Sequence, residues 1–315
     1  ESRIEFEAVN GKEYRIEIRY AEMPNYNADM KINIGHETPI DYTASIQKLK
    51  DCETVVFVGG IAPQLEGEEM PINIPGFKGG DRTDIELPKV QRGFLKALKN
   101  AGKKVVFVNC SGSAIALAPE TESCDAILQA WYPGQEGGEA VARVLFGEYN
   151  PSGKLPITFY RDTKQLPDFK DYSMKGRTYR YMNDALFPFG YGLSYTLYNI
   201  GEAKLSNETL KKGEQITLTI PVSNVGKKDG AEVVQVYVKD PTDTEGPLKT
   251  LKAYQRVSVK AGETAQAIIT LDSKNFELFD AGTNIMRAKA GDYEVYYGSS
   301  SADKDLKKVI VHYAY

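Results

Sequence analysis

The alternation of apolar and polar positions changes character along the chain, and each change predicts a different kind of structure. Before residue 43, Tyr14, Ile16, Ile18 and Tyr20 alternate with Arg15, Glu17 and Arg19, and Asn10-Gly11 is a hairpin signal between two strand-like runs. Three short strands cannot bury a core alone, so residues 1–42 read as a β-strand remnant that ends a β domain or leans on a neighbour. From Thr43 the period is mixed. A helix-like stretch ends near Lys50, and Thr54 to Val58 is a continuous, mostly β-branched run stopped by Gly59-Gly60, the pattern of a strand buried on both faces. Val90, Phe94, Leu98 and Ala101 recur at helical spacing before a second buried strand, Lys104 to Asn109. A third, Ala126 to Trp131, precedes Pro133-Gly134 and a helix-like run to Phe146. Strand and helix alternating in this way predict an open, largely parallel α/β domain over residues 43–160.

Residues 161–195 are polar, punctuated by Pro and Gly, and read as a linker. Beyond them every run has period two: Ile216, Leu218, Ile220 and Val222, then Val234, Val236 and Val238, Val257 and Val259, Ala267, Ile269 and Leu271, and Tyr293, Val295 and Tyr297. Strands of that number between Gly, Asn and Asp turns predict a two-sheet β-sandwich over residues 196–315. The expected fold class is therefore α/β plus all-β.

Length allows this division, since 315 residues can bury two separate cores. The balance of 39 basic and 43 acidic side chains leaves a net charge of −4, which gives no electrostatic reason to expect nucleic acid or an anionic membrane as partner. An uncharged substrate fits better. No apolar run approaches the ~20 residues of a membrane helix, so a soluble chain is expected. Cys52, Cys110 and Cys124 form neither a metal-binding pair nor an even disulfide framework and read as small buried hydrophobes. Glu1 is followed by no leader pattern, so the sequence is expected to begin inside a larger or processed polypeptide.

In open α/β sheets ligands collect outside the carboxyl ends of the strands, which makes Gly59–Gly80, Ser111–Ser113 and Tyr132–Gly138 the candidate loops. The first is the longest and carries Gln64-Leu65-Glu66-Gly67-Glu68-Glu69 and Gly79-Gly80-Asp81-Arg82. A carboxylate held among other carboxylates resists ionisation, the condition a general acid needs, although a solvated acidic loop has the same composition. Ser111 and Ser113 suggest nucleophiles, but His36 and His312 lie in the remnant and the sandwich, and no Gly-x-Ser-x-Gly elbow is present. Asp81 and Arg82 read as a loop-fixing ion pair, and Trp131 as a packing residue. Glycine-rich phosphate loops are absent.

Several segments together resemble family 3 glycoside hydrolases: Val55 to Gly60, Leu65-Glu66-Gly67-Glu68, Gly80-Asp81-Arg82, Leu87-Pro88, Trp131 to Gly138, Asn150 to Phe159 and Phe187 to Tyr195, in the family's order. The resemblance covers about residues 43–315, because the terminal sandwich is similar to the fibronectin type III-like domain of many members. Residues 1–42 are similar to the end of a PA14-type insertion. The resemblance implies a retaining, exo-acting β-glucosidase or β-xylosidase whose nucleophile, an aspartate, sits on an N-terminal (β/α)8 barrel that no segment of this sequence supplies. The acid/base position matches Glu66, with Glu68 and Glu69 as alternatives. It further implies a β-linked oligosaccharide or aryl glycoside as ligand, no cofactor, no metal, and a secreted or periplasmic setting. This chain alone is expected to be inactive. Its sandwich is expected to brace the α/β domain or to help form a homodimer. The competing expectation is a non-catalytic carbohydrate-binding or structural segment.

Overall fold

The computed structural model describes residues 4, 6–19, 32, 34–35, 38–67 and 69–315, and the fold is stated for these. Helix α1 (Thr43–Lys48) leads into β1 (Thr54–Gly60), followed by the short strands β2 (Asn73–Ile74), β3 (Phe77–Lys78) and β4 (Asp81–Arg82). Then come α2 (Lys89–Asn100), β5 (Lys104–Cys110), α3 (Ala118–Ser123), β6 (Ala126–Gln129) and α4 (Gly137–Leu145). Strands β1, β5 and β6 form a parallel sheet in that order, in a register that sets Phe57 beside Phe107 and Phe107 beside Ile127. That face closes on Leu95 and Leu98 of α2 and on Ile115 and Leu117, all of them essentially free of solvent.

The sequence predicts β1 to be buried on both faces, but Val56 and Val58 are 50% and 64% exposed. Topology explains the difference. The sheet grows in one direction from β1, and right-handed crossovers that advance in one direction place their helices on one face, where α2 and α3 pack together. No described helix covers β1 from the other side.

The remnant also differs from expectation. Residues 6–19 contain a turn at Asn10-Gly11, and the Tyr14 hydroxyl accepts from the Val9 N–H at 2.8 Å, but no strand ladder forms and Ile16 and Ile18 are exposed. An isolated ribbon has nothing against which to close its apolar face. Tyr20 and His36 lie outside the described residues. The stretch expected as a linker is folded back instead: Leu155 donates to the Tyr191 carbonyl at 2.8 Å, Phe159 pairs with Phe187, and Leu186 and Phe187 pack on the α/β core.

The sandwich comprises β7 (Tyr198–Ile200), β8 (Lys204–Leu205), β9 (Thr209–Lys211), β10 (Gln215–Asn224), β11 (Gly230–Lys239), β12 (Thr250–Val259), β13 (Thr264–Asp272), β14 (Leu278–Asp280), β15 (Ile285–Arg287), β16 (Gly291–Gly298) and β17 (Leu306–Ala314). One sheet runs β13-β10-β7, with β8 also on β10, and the other runs β12-β11-β16-β17-β9. The predicted alternation supplies the core, since Ile216, Leu218, Ile220 and Val222 meet Val234, Val236, Val238 and Tyr297 between the sheets. No helix among the described residues is long and apolar enough to cross a membrane.

A partly buried ion network, with Glu120 at its buried end, ties the α/β elements together. Arg92 on α2 binds Glu120 of α3 through Nε at 2.7 Å and Nη2 at 3.1 Å, and reaches Glu86 through Nη1 at 2.9 Å. Glu120 is only 1% exposed, so its charge depends on this guanidinium. The other oxygen of Glu86 accepts from the Thr163 backbone N–H at 3.0 Å and hydroxyl at 3.1 Å, which anchors the folded-back segment. Burial pushes the Glu86 carboxyl up, but Arg92 and Thr163 outweigh it and hold it below its ordinary value.

Arg92→Met is expected to cost about 3–5 kcal/mol at neutral pH, because it strands a buried carboxylate, and chemical denaturation checks the loss. A depressed folded-state pKa contributes stability above the unfolded value of about 4.3 that disappears as pH falls through the folded value. Stability measured from pH 6 down to pH 3 should therefore fall less steeply in the variant. The cysteines give a second test. Cys52 is exposed, against expectation, because it lies in the turn entering β1, whereas Cys124 is buried and its thiol is pushed up to about 12 by burial and by the charges of Glu120 and Asp125. Iodoacetamide should label Cys52 in the native protein and Cys124 only after denaturation.

Candidate active site

The longest loop leaves β1 through a position only glycine can fill. Gly60 has φ +125°, and a Cβ there would lie 1.9 Å from the Cys110 carbonyl oxygen. The Gln91 side chain clasps Gly60, accepting from its N–H at 2.8 Å and donating to its carbonyl at 2.7 Å, and the Ile61 N–H binds the Cys110 carbonyl at 2.9 Å. The chain is thereby directed across the carboxyl ends of the sheet. There it forms a small antiparallel sheet, β2-β3-β4, rather than an open acidic loop. Gly80, at φ +89°, closes this sheet down, since a Cβ there would meet the Gly67 carbonyl oxygen at 1.6 Å. The turn of β3 and β4 therefore rests on the backbone immediately after Glu66.

The Glu66 side chain is 19% exposed, and from its own loop it reaches hydroxyl donors on the other two predicted loops. Its Oε2 accepts from the Tyr132 hydroxyl at 2.8 Å and its Oε1 from the Ser113 hydroxyl at 3.3 Å, with Arg82 Nη1 at 3.7 Å from Oε1. Arg82 is fixed in turn. Its Nη1 donates to Ser113 Oγ at 3.0 Å and the Ala114 carbonyl at 3.2 Å, and its Nε donates to the Asp84 carbonyl at 3.2 Å. Burial lowers the Arg82 pKa, partly offset by the charges of Glu66 and Asp84. The expected Asp81–Arg82 pair is replaced by Arg82–Glu66, because successive residues of a strand project to opposite faces.

The Tyr132 hydroxyl has a second acceptor, the Ile61 carbonyl at 2.9 Å, for its single hydrogen. Burial and the bond to Glu66 push this phenol up, so it remains a donor at neutral pH. It is presented by Trp131, which comes after β6 at φ +58°, a conformation uncommon outside glycine, and whose ring packs edge-on against Phe159 at 6.2 Å. Trp131 thus serves packing, as expected, while its backbone redirects the chain toward Glu66.

The other candidates are placed differently. Ser111 is fully buried, with its hydroxyl donating to the Ser113 carbonyl at 2.9 Å and accepting from Gln129 at 3.2 Å, and it has no base. Ser113 lies between Arg82 and Glu66, while His312 pairs with Asp292 in the sandwich at 2.8 Å, so no serine triad forms among the described residues. Glu69 occupies an exposed turn with φ +52°, and Glu68 lies outside the described residues. Among the described residues no group of three or more His, Cys, Asp or Glu could hold a metal. The three loops singled out in the sequence meet at Glu66, whereas the pairing of Glu66 with Tyr132 and Ser113 was not anticipated. Their one available signal is their position, each the third residue past the end of β6 or β5.

Comparison with known proteins places this arrangement in a family. Residues 12–195 match the glycosyl hydrolase family 3 C-terminal domain, and residues 232–301 a fibronectin type III-like domain. The first match begins inside the stretch read as a PA14-like remnant. A xylan 1,4-beta-xylosidase of Xylanibacter ruminicola is 59% identical over 98% of this chain and 36% of its own length, and a periplasmic beta-glucosidase of Salmonella typhimurium is 36% identical over 82% and 34%. Among solved structures, a GH3 beta-glucosidase of Bifidobacterium adolescentis superposes with TM-score 0.73 at 30% identity, covering 88% of this chain and 42% of that one. The chain thus spans little more than a third of the length of the curated relatives it matches. With an α/β sheet carrying the Glu66 loop, a fibronectin-like sandwich behind it and a family match across more than half its length, the chain belongs to glycosyl hydrolase family 3.

Proposed function

We propose that this chain is the C-terminal portion of a retaining, exo-acting β-glycosidase and that Glu66 is its general acid/base. The observation that carries the proposal is the Tyr132 hydroxyl, within reach of both Glu66 Oε2 and the Ile61 carbonyl. A general acid/base must alternate between protonated and ionised forms in a fixed place. When Glu66 is ionised, Tyr132 donates to it. When Glu66 is protonated, Tyr132 turns its hydrogen to Ile61 and offers Glu66 a lone pair, so the site accommodates both forms without moving a heavy atom.

In the reaction this assigns, an aspartate outside these 315 residues attacks the anomeric carbon while the Glu66 proton passes to the departing glycosidic oxygen. Water then attacks the glycosyl-enzyme and gives a proton back to Glu66, releasing the sugar and the aspartate. The two carboxyls must stand about 5–5.5 Å apart, so a barrel bearing the nucleophile has to close over the Glu66 loop. The described residues hold no such barrel, and by this reading the chain alone does not hydrolyse glycosides. β-Xylosides are the inferred substrates, since the relative sharing 59% identity is named a xylosidase, whereas a relative named a periplasmic beta-glucosidase shares 36%. An exported location belongs to the same proposal.

Hydrolysis of aryl β-xylosides and β-glucosides by the full-length protein tests the assignment. Glu66→Gln should lower kcat by about 10²–10⁴-fold on poor leaving groups and far less on dinitrophenyl glycosides, with azide restoring turnover. If Glu68→Gln or Glu69→Gln shows that pattern and Glu66→Gln does not, the acid/base belongs to that residue and Glu66 becomes its anchor. Arg82→Met removes the group that fixes both Ser113 and Glu66, and kcat should fall at least tenfold, with KM for aryl xylosides changing less. An unchanged kcat would overturn its role.

A further inference from the structure

A cleft of about 410 Å³ lies where the folded-back segment meets the tip of the sandwich, and its lining includes Arg161, Asn183, Asp184, Phe187, Tyr191 and Lys304. That volume falls within the roughly 300–1,000 Å³ usual for small-ligand sites. We propose that this cleft is a second, non-catalytic carbohydrate site that takes a short β-linked xylooligosaccharide. The inference rests on the glycosidase reading only for the class of sugar.

The chemistry of the lining supports this ligand. A pyranose has an apolar C–H face and a rim of hydroxyls that both donate and accept. Phe187 and Tyr191 both line the cleft, stacked on each other at 5.5 Å with their planes 17° apart, and supply an apolar side for that face. Across the polar side, Arg161 Nη2 binds Asp184 Oδ1 at 2.7 Å, yet both side chains remain substantially exposed, at 49% and 74%. Their outer donors and lone pairs, together with the Asn183 amide and the Lys304 ammonium, suit the hydroxyl rim. Both charge signs are present, which matches a neutral polyol better than an anion or a cation.

The walls are also held in place before any ligand arrives. The Ser301 N–H donates to the Phe189 carbonyl at 2.9 Å, and Gln235 Nε2 joins the Gly190 and Ser299 carbonyls at 3.1 and 2.7 Å, which ties the aromatic segment to the sandwich loop. Lys249, 3% exposed, donates to the Ser301 carbonyl at 2.9 Å and bonds Asp303. On the opposite side Gln165 receives the Arg161 N–H at 2.8 Å and donates to the Asp184 carbonyl. Such fixed walls avoid most of the ordering cost of binding. Phe187 also packs on Phe159, which packs on Trp131, the neighbour of Tyr132, so a continuous aromatic row joins the cleft to the Glu66 site.

Calorimetric titration of this chain with xylotetraose should give saturable binding with Kd on the order of 0.1–1 mM. Asp184→Ala and Lys304→Ala, at exposed positions with unchanged melting temperature, should each weaken it about tenfold, whereas Glu66→Gln should leave it unchanged. In the full-length protein the same two variants should raise KM for xylan and leave turnover of aryl xylosides as it is. Absence of saturation at ~10 mM, or binding lost in Glu66→Gln and kept in both cleft variants, overturns the proposal. A full-length protein that cleaves aryl glycosides while the chain binds no xylotetraose sinks the cleft alone. Binding at the cleft by a protein inactive on every glycoside sinks the catalytic reading and leaves the cleft standing.

Discussion

The arrangement of this molecule depends on one guanidinium. Arg92 neutralises Glu120, which is buried between two helices, and with its remaining nitrogen holds Glu86. Glu86 lies just past the β2-β3-β4 sheet and is itself bridged to Ala116, just before α3, so its position sets where the Glu66 loop returns to the domain. Its second oxygen fixes Thr163 and with it the segment that begins at Arg161. The candidate active site and the proposed sugar cleft therefore hang from opposite ends of one ion network. Its value lies in fixing position. A buried pair adds little net stability over a well-packed apolar substitute, whereas removal of one member leaves a charge unsolvated.

The periodicity of the sequence carried most of the architecture, and the mixed α/β and all-β division comes from it. It failed where burial depends on something other than the local pattern. The run Thr54 to Val58 has the composition of a strand covered twice, yet cover is a property of topology, and strand order β1-β5-β6 places the helices on one side. Polarity likewise made residues 161–195 look like a linker. Yet Phe187 packs on the α/β core and Phe189 on Tyr179 and Tyr237, and backbone groups of this turn-rich segment bond to Leu155 and Phe159.

At the candidate site, the sequence pointed to the loops that meet and to Glu66 as the candidate, but not to the contacts between them. Asp81 and Arg82 are adjacent in sequence and invite pairing, but a strand turns them apart, and Arg82 meets a residue sixteen positions earlier instead. Tyr132 and Ser113 carry no local mark of their role. They matter because parallel strands in register end at one level, so the segments that follow β5 and β6 arrive together over the loop leaving β1.

This convergence also explains why the donor set suits an acid/base better than a fixed structural carboxylate. A buried structural carboxylate is best served by donors with no alternative, as Glu120 is by Arg92. Glu66 is served by two hydroxyls, which can accept as readily as donate, and by a guanidinium at 3.7 Å, beyond hydrogen-bond distance. Hydroxyl partners tolerate a change of protonation that a close ion pair would resist. The same property leaves the site dependent on whatever closes over it, because no described residue excludes water from Glu66 on its open side. Under the proposed assignment, a second domain that brings a carboxylate would also supply that cover, so that completing the catalytic pair and excluding solvent would be a single event.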